Sequence, residues 1–333
     1  MMELPTYSHQ KFPIEQMQKY HLSCPYNKMN QEIKIKALNQ LKKQIENWID
    51  EDKIFSDITT KTLQLNGEGV ITFFSKNKND FIVAGIDFVS FIFNYVSKLK
   101  KTKFKIFPLK RDGDIVSENQ KILNIVGNLP FLFSFERLSL NLLARLSGIA
   151  SETRKMADIC SRYGVEFCAT RKTTPGLRYL EKYAVMIGGG ATHRLNLQDG
   201  ILIKDNHIET IGGSKALLDF FIKNKNKLQK ISKPIEIEVQ KEEDLTYALS
   251  ICEIIGKATI MLDNISKDKI PTLISKIRQF SSDKKIDIKI EISGGIRPSN
   301  IEDYAKLKPD RISAGYITLS PQVPDISADI KSI

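Results

Sequence analysis

The sequence predicts an α/β protein, in which a small mixed α+β region precedes a parallel β/α barrel or a closely related sheet of six strand–helix units. Two observations carry this reading. Between residues 31 and 127, helical spacings and strand-like runs are mixed in no regular order. Beyond Tyr163, six short apolar runs alternate with helix-length segments, the pattern of parallel strands joined by crossover helices. At 333 residues, 41% hydrophobic and 27% charged, the chain has the length and composition for two domains or one large one with a substantial core.

Residues 1–30 show no sustained periodicity and read as an extension held loosely on the surface. From 31 to 52, Ile35, Leu38, Leu41, Ile45, Trp48 and Ile49 recur at helical spacing, which predicts an amphipathic helix. Strands near 70–76, 113–116 and 121–127 and a helix near 88–99 complete the first domain, 31–133. Pro130 is expected to close the last of these strands, and Ser134 to cap a helix over 135–147 that is followed by a second over 151–163. The barrel domain, 134–316, has its strands at 165–170, 201–204, 235–239, 259–262, 288–292 and 311–314. The final segment, 317–333, is expected to pack back on the first domain.

Composition excludes several classes. The longest apolar stretch, 81–96, is interrupted by Gly85, Asp87, Ser90 and Asn94 and is shorter than the ~20 residues of a bilayer span. No charged segment with an apolar stretch and cleavage site opens the chain, which predicts a cytoplasmic protein without membrane contact. The four cysteines, Cys24, Cys160, Cys168 and Cys252, form no metal-type pair and read as free buried thiols. A net charge of +11 fits either a polyanion partner or a small anionic substrate. The lysine runs at 98–105 and 223–230 lack interleaved aromatic residues, so they read as solvated surface rather than a nucleic-acid site.

In a parallel barrel, reacting groups gather where the carboxyl ends of the strands share one mouth. Here the successive strands deliver Arg171-Lys172, then Lys204 ahead of Asp205, Asn206 and His207, then Glu236 and Glu238, then Asp263-Asn264, then Ser293-Gly294-Gly295, and last Gly315. Bases come early, acids in the middle and glycines late. Arg171, Lys172, Arg194 and Lys204 suit a small ring bearing two carboxylates, since guanidinium forks match carboxylates in pairs. His193 lies in this cationic segment, and its neighbour Arg194 is expected to keep it neutral. Glu236 and Glu238 share a strand face beside Asp263, a repulsive grouping that a sugar diol, Mg²⁺ or a salt bridge to the bases would relieve. Ser293, Gly294 and Gly295, with Pro298-Ser299 opening a helix, offer backbone N–H groups to a phosphate.

The stretches RLSGIASETR (145–154), TRKTTPGLR (170–178), GGGATHR (188–194) and LIKDNH (202–207) closely resemble quinolinate phosphoribosyltransferases. EIEV (236–239), MLDN (261–264) and EISGGI (291–296) follow in the family's order, and DED (50–52) with SDITT (56–60) echoes its N-terminal motif, so the resemblance covers about 35–330. It implies an N-terminal α/β sandwich domain, a C-terminal β/α barrel with fewer than eight units, and a homodimer whose sites each borrow Arg137 from the other subunit, with room for higher assembly. It further implies that Arg171, His193, Arg194 and Lys204 hold the quinolinate carboxylates, with Lys172 near both substrates. Glu238 and Asp263 would meet the ribose hydroxyls and Mg²⁺, the latter mainly through substrate and water, and Ser293, Gly294, Gly295 and Gly315 the 5-phosphate. Lys172, Glu238 and Asp263 are thus the expected catalytic groups. The implied reaction converts quinolinate and phosphoribosyl pyrophosphate to nicotinate mononucleotide, pyrophosphate and carbon dioxide in NAD biosynthesis. Leu319 departs from the polar residue, often histidine, that many members carry there, and 52–57 lacks the motif's usual glycines. The alternatives are a nicotinate-type phosphoribosyltransferase, a molybdenum-transport-associated relative, and a basic nucleic-acid-binding protein, for which no groove-reading motif is present.

Overall fold

The computed structural model describes residues 26–333. The expectations for 1–25, including His9, His21 and Cys24, lie outside them. The first part comprises α1 (Tyr26–Glu51), α2 (Ile58–Thr62), β1 (Glu68–Ser75), β2 (Phe81–Ile82), α3 (Ile86–Lys100), β3 (Phe104–Pro108), β4 (Ile115–Val116), β5 (Lys121–Asn128) and α4 (Leu129–Ser161). The second continues with β6 (Glu166–Ala169), α5 (Arg178–Ile187), β7 (Ile201–Ile203), α6 (Asp205–Thr210), α7 (Ser214–Lys223), α8 (Lys225–Leu228), β8 (Ile235–Val239) and α9 (Leu245–Ile255). It closes with β9 (Lys257–Asp263), α10 (Ile270–Lys284), β10 (Asp287–Ser293), α11 (Ile301–Ala305), β11 (Arg311–Ala314), α12 (Tyr316–Leu319) and β12 (Ile326–Ser332).

The first domain is an antiparallel sheet of order β12-β1-β5-β3 covered by helices. Ile71 and Phe73 alternate inward along β1, as a half-buried strand requires, while Phe93 of α3 meets Phe104 of β3 at 5.1 Å and Phe135 of α4 at 5.9 Å. β3 was masked in the sequence by the lysine run that ends at Lys105. β12 pairs along β1 from Ser75↔Ile326 to Gly69↔Ser332, so the last segment forms an edge strand of the N-terminal sheet. In α1, Ile33, Ala37, Leu41, Ile45 and Ile49 face the core, whereas Ile35, assigned to that face by spacing, is exposed.

The two helices expected after Pro130 are one. Pro130 sits in the first turn of α4, where its missing N–H leaves no helical bond unmade, and the Asn128 side chain caps the helix by accepting from Phe131 N at 3.2 Å. Ser134 is interior: its Oγ donates to Pro130 O and to Asp57 Oδ2. The expected break at 147–151 is a run of small residues chosen for contact. Ser147 and Ser151 accept from Ala84 N and Ile82 N, and a Cβ on Gly148 would lie 2.7 Å from Gln322 O.

The second domain is a parallel six-stranded sheet of order β7-β8-β9-β10-β11-β6. All six predicted strands are present. β6 and β7, consecutive in sequence, are the two ends, and the chain between them lines this seam, with Ala191 bridging Cys168. α1 ties the domains together: Gln40 Oε1 accepts from Tyr179 N (2.8 Å) and Leu180 N (3.2 Å), satisfying the free N–H groups at the start of α5. Among the described residues, no helix is long and apolar enough to cross a membrane.

Candidate active site

Arg171 follows β6, Arg194 follows the seam segment, and Arg178 opens α5. Arg194 holds a left-handed backbone, φ 34°, and its Nη1 donates to Gly200 O at 3.2 Å. The Nε atoms of Arg171 and Arg194 are buried and unpaired. Burial, then Arg194 and Arg178, lower the Arg171 guanidinium from the ordinary arginine value. No carboxylate among the described residues pairs with any of the three. Like charges gathered without a counter-ion repel, and a bound anion would remove the penalty. Arg178 is an addition to the set read from sequence; its place in the TRKTTPGLR stretch was the available signal.

Beneath the arginines, His193 Nε2 lies 3.3 Å from Glu236 Oε2, and their polar atoms fall within 4.8 Å of a Glu291 carboxylate oxygen. Glu291 is fully buried and, among the described residues, no basic or amide group donates to its oxygens; its hydrogen-bonding neighbour is the Glu236 carboxyl. Burial and the neighbouring Glu291 push Glu236 up to about 9. Burial also lowers His193, so the direction expected from sequence holds, but its first cause is desolvation rather than Arg194. Lys182 of α5, also fully buried, donates to Ala169 O (3.1 Å) and His193 O (3.0 Å), and burial pushes it down to about 7. Glu291 and Lys182 were missed. Their signal was a charge set inside an apolar strand or helix, which can be buried only in polar company.

Glu238 faces a different company from Glu236, contrary to the expected grouping of both glutamates beside Asp263. Burial raises Glu238, with Asp263 adding to the rise and Lys204 opposing it. Gln240 Nε2 donates to Glu238 Oε1 and Asn264 Nδ2 to Asp263 Oδ2, each at 2.8 Å, which leaves one oxygen of each carboxylate outside those bonds. Lys204 is exposed at the end of β7, where its backbone N–H donates to His207 Nδ1.

Across the mouth, Gly294 has φ 93° and Gly295 φ 62°, both left-handed. A Cβ on Gly294 would lie 2.4 Å from Asn264 Oδ1, so only glycine lets the loops after β9 and β10 meet, and Asn264 N donates to Ser293 O. The helix expected from Pro298-Ser299 begins later, at Ile301, because Asn300 turns its side chain back, accepting from Arg297 N and donating to Gly295 O. A Cβ on Gly315 would lie 2.9 Å from Lys172 Cδ. The Lys172 arm thus crosses Gly315 while its backbone adjoins Arg171. The structure brings together Arg171, His193 and Arg194, separately Lys204, Glu238 and Asp263, and separately Lys172 and Gly315.

Arg137 is exposed on α4, two turns or ~12 Å before Arg145. Leu319 is exposed beside Gly315. The RLSGIASETR stretch acts structurally: Arg154 Nε donates to Gly188 O at 3.0 Å, while Arg145 reaches Glu181, Thr174 and Thr318.

The comparisons agree with this geometry. The family model described as quinolinate phosphoribosyl transferase, C-terminal domain, matches residues 149–329, and its N-terminal domain matches 57–147. The chain is 39% identical over 300 residues to a protein of Methanocaldococcus jannaschii named probable nicotinate-nucleotide pyrophosphorylase (carboxylating), covering 88% of this chain and 97% of that one. It is 35% identical over 291 residues to the Bacillus subtilis protein of the same name, covering 87% and 93%. The nicotinate-nucleotide pyrophosphorylase structure from Francisella tularensis superposes with a TM-score of 0.73 at 30% identity, covering 88% of this chain and 96% of that one. With both family domains in place around an arginine-lined mouth, the chain belongs to the quinolinate phosphoribosyltransferase family.

Proposed function

We propose that the protein transfers the phosphoribosyl group of phosphoribosyl pyrophosphate to quinolinate, giving nicotinate mononucleotide, pyrophosphate and carbon dioxide for NAD biosynthesis. The carrying observation is the unpaired arginine group around Arg171, which has charge and donors for two carboxylates. A nicotinate phosphoribosyltransferase handles one carboxylate; the human enzyme's structure superposes with a TM-score of 0.52 at 12% identity, a likeness of fold alone.

Arg171, Arg194 and His193 bind the carboxylates on one side of the mouth, and Lys204 approaches from the next strand. Ser293, Gly294, Gly295 and Gly315 receive the 5-phosphate, and Glu238 and Asp263 accept from the ribose hydroxyls. The pyridine nitrogen attacks ribose C1 as the bond to pyrophosphate breaks, with oxocarbenium character in the transition state. Lys172, whose arm spans the arginine and glycine sides, offsets the departing negative charge. The adjacent carboxylate then leaves as carbon dioxide, its electron pair held beside the cationic ring nitrogen, and a solvent proton takes its place.

The free oxygens of Glu238 and Asp263 are hard donors suited to Mg²⁺, so these residues would hold the ion, mainly through water and substrate. When bound, the ion would stabilise charge on the pyrophosphate. Arg137, exposed on α4, completes the site of a second subunit in a homodimer. The protein acts in the cytoplasm on small molecules, not nucleic acid. The test is an assay of purified protein with phosphoribosyl pyrophosphate, Mg²⁺ and either quinolinate or nicotinate. Nicotinate mononucleotide and carbon dioxide from quinolinate are expected; product from nicotinate alone would overturn the assignment.

A further inference from the structure

The loop at 170–174 carries Arg171 and Lys172 side by side, yet they serve opposite sides of the mouth. Two independent sets of bonds hold it. On the arginine side, Arg178 Nε donates to Thr173 Oγ1 at 3.2 Å and its Nη1 to Leu195 O at 3.4 Å. Thr173 in turn returns to Arg171: its backbone N–H donates to Arg171 O at 2.9 Å. Leu195 directly follows Arg194 and is itself held by Asp199, whose Oδ2 accepts from Leu195 N at 2.8 Å. One guanidinium therefore staples the two loops that present Arg171 and Arg194.

On the other side, Thr318 of α12 is almost fully buried, and its Oγ1 donates to Lys172 O at 2.6 Å and lies 3.2 Å from Gly315 O. Its own carbonyl accepts from Arg145 Nη2 at 2.5 Å, and Arg145 also reaches Thr174 Oγ1 at 3.2 Å. The hydroxyl therefore joins the Lys172 backbone to the loop after β11 at the point where the Lys172 arm crosses Gly315.

We propose that Arg178 and Thr318 are positioning residues that brace this loop from opposite sides, Arg178 setting the dicarboxylate pocket and Thr318 setting Lys172 between the two substrates. Neither needs to touch a reacting atom. The inference rests on the proposed reaction and predicts a kinetic split that a general contribution to folding would not give. Arg178→Ala should raise the KM for quinolinate about fivefold or more, the scale of a lost hydrogen bond, with the KM for phosphoribosyl pyrophosphate nearly unchanged. Free guanidinium at low millimolar concentration should restore part of the loss. Thr318→Val, which keeps the shape and removes the hydroxyl, should lower kcat or raise the KM for phosphoribosyl pyrophosphate by a similar factor and spare the KM for quinolinate.

Steady-state kinetics of both variants read this pattern, with the melting temperature of each measured alongside. Wild type active on quinolinate, with both variants altering the same constants equally, would overturn the brace and leave the reaction standing. Amide hydrogen exchange across 170–178 needs no substrate and separates the two ideas if the wild type proves inactive on quinolinate. Faster exchange in both variants is expected, and unchanged exchange in either would overturn the proposal.

Discussion

Removing Arg145 should destabilise the whole molecule, because its partner is a carboxylate that water cannot reach. Glu181 is fully buried; Arg145 donates to its Oε1 from Nη2 at 2.8 Å and Nε at 3.3 Å, and Thr174 N alone supports Oε2 at 3.2 Å. In Arg145→Ala that charge stays buried with one backbone donor, a situation that costs about 3–5 kcal/mol. With an unfolding entropy of roughly 2.1 cal/mol/K per residue, 333 residues convert this loss into a Tm decrease of about 4–7 °C. Differential scanning calorimetry of the wild type, Arg145→Ala, Glu181→Gln and the double variant measures it. The double variant should regain most of the loss, since no unpaired charge then remains. A single variant that melts with the wild type would refute the reasoning, as would a double variant that is no better than Arg145→Ala.

Arg171→Ala should behave oppositely: it removes a cation that has no protein counter-ion, so Tm should hold or rise, while the KM for quinolinate increases about ten- to hundredfold. A large Tm loss would reveal a structural role instead. Gly294→Ala meets both a left-handed φ of 93° and Asn264 Oδ1 at 2.4 Å, so the loop must shift and affinity for phosphoribosyl pyrophosphate should fall; an unchanged KM for that substrate contradicts the phosphate assignment. Asp112, bound by Tyr183 Oη and Ile86 N, is pushed up by burial to about 6. A raised carboxyl favours the fold below the ordinary aspartate value and loses that contribution as pH rises through about 6. Asp112→Asn should therefore gain stability relative to wild type between pH 4 and pH 8 in denaturant titrations, and a constant difference between the two proteins would contradict this.

The barrel strands were legible because each is a short apolar run ended by a polar or glycine cluster, and such runs have few other uses in a soluble chain. Their end residues pointed to the mouth for the same reason. β3 was not legible: its apolar residues adjoin a lysine run, and only pairing with β5 makes it a strand. Nor was the continuity of α4, since Pro130 and the small residues at 147–151 look like breaks until the strand and loop that press on them are known. At the site, sequence supplied the residue types but not their partners. Alternation along β8 put Glu236 and Glu238 together, whereas the structure gives Glu236 to His193 and Glu291, and Glu238 to Asp263 and Lys204. Arg178 stands in the TRKTTPGLR stretch, but its bracing role and that of Thr318 were not legible, because they act through hydrogen bonds to Thr173 Oγ1, Leu195 O and Lys172 O that no residue pattern displays.

The central claim is that the unpaired arginines form a dicarboxylate pocket, and equilibrium binding of quinolinate and nicotinate to the wild-type protein and to Arg171→Ala tests it most directly. The wild type should bind quinolinate about tenfold more tightly or better, the worth of an added charge-assisted contact, and Arg171→Ala should erase most of that preference. Equal affinities for the two acids in the wild type, or a preference untouched by the substitution, would contradict the account.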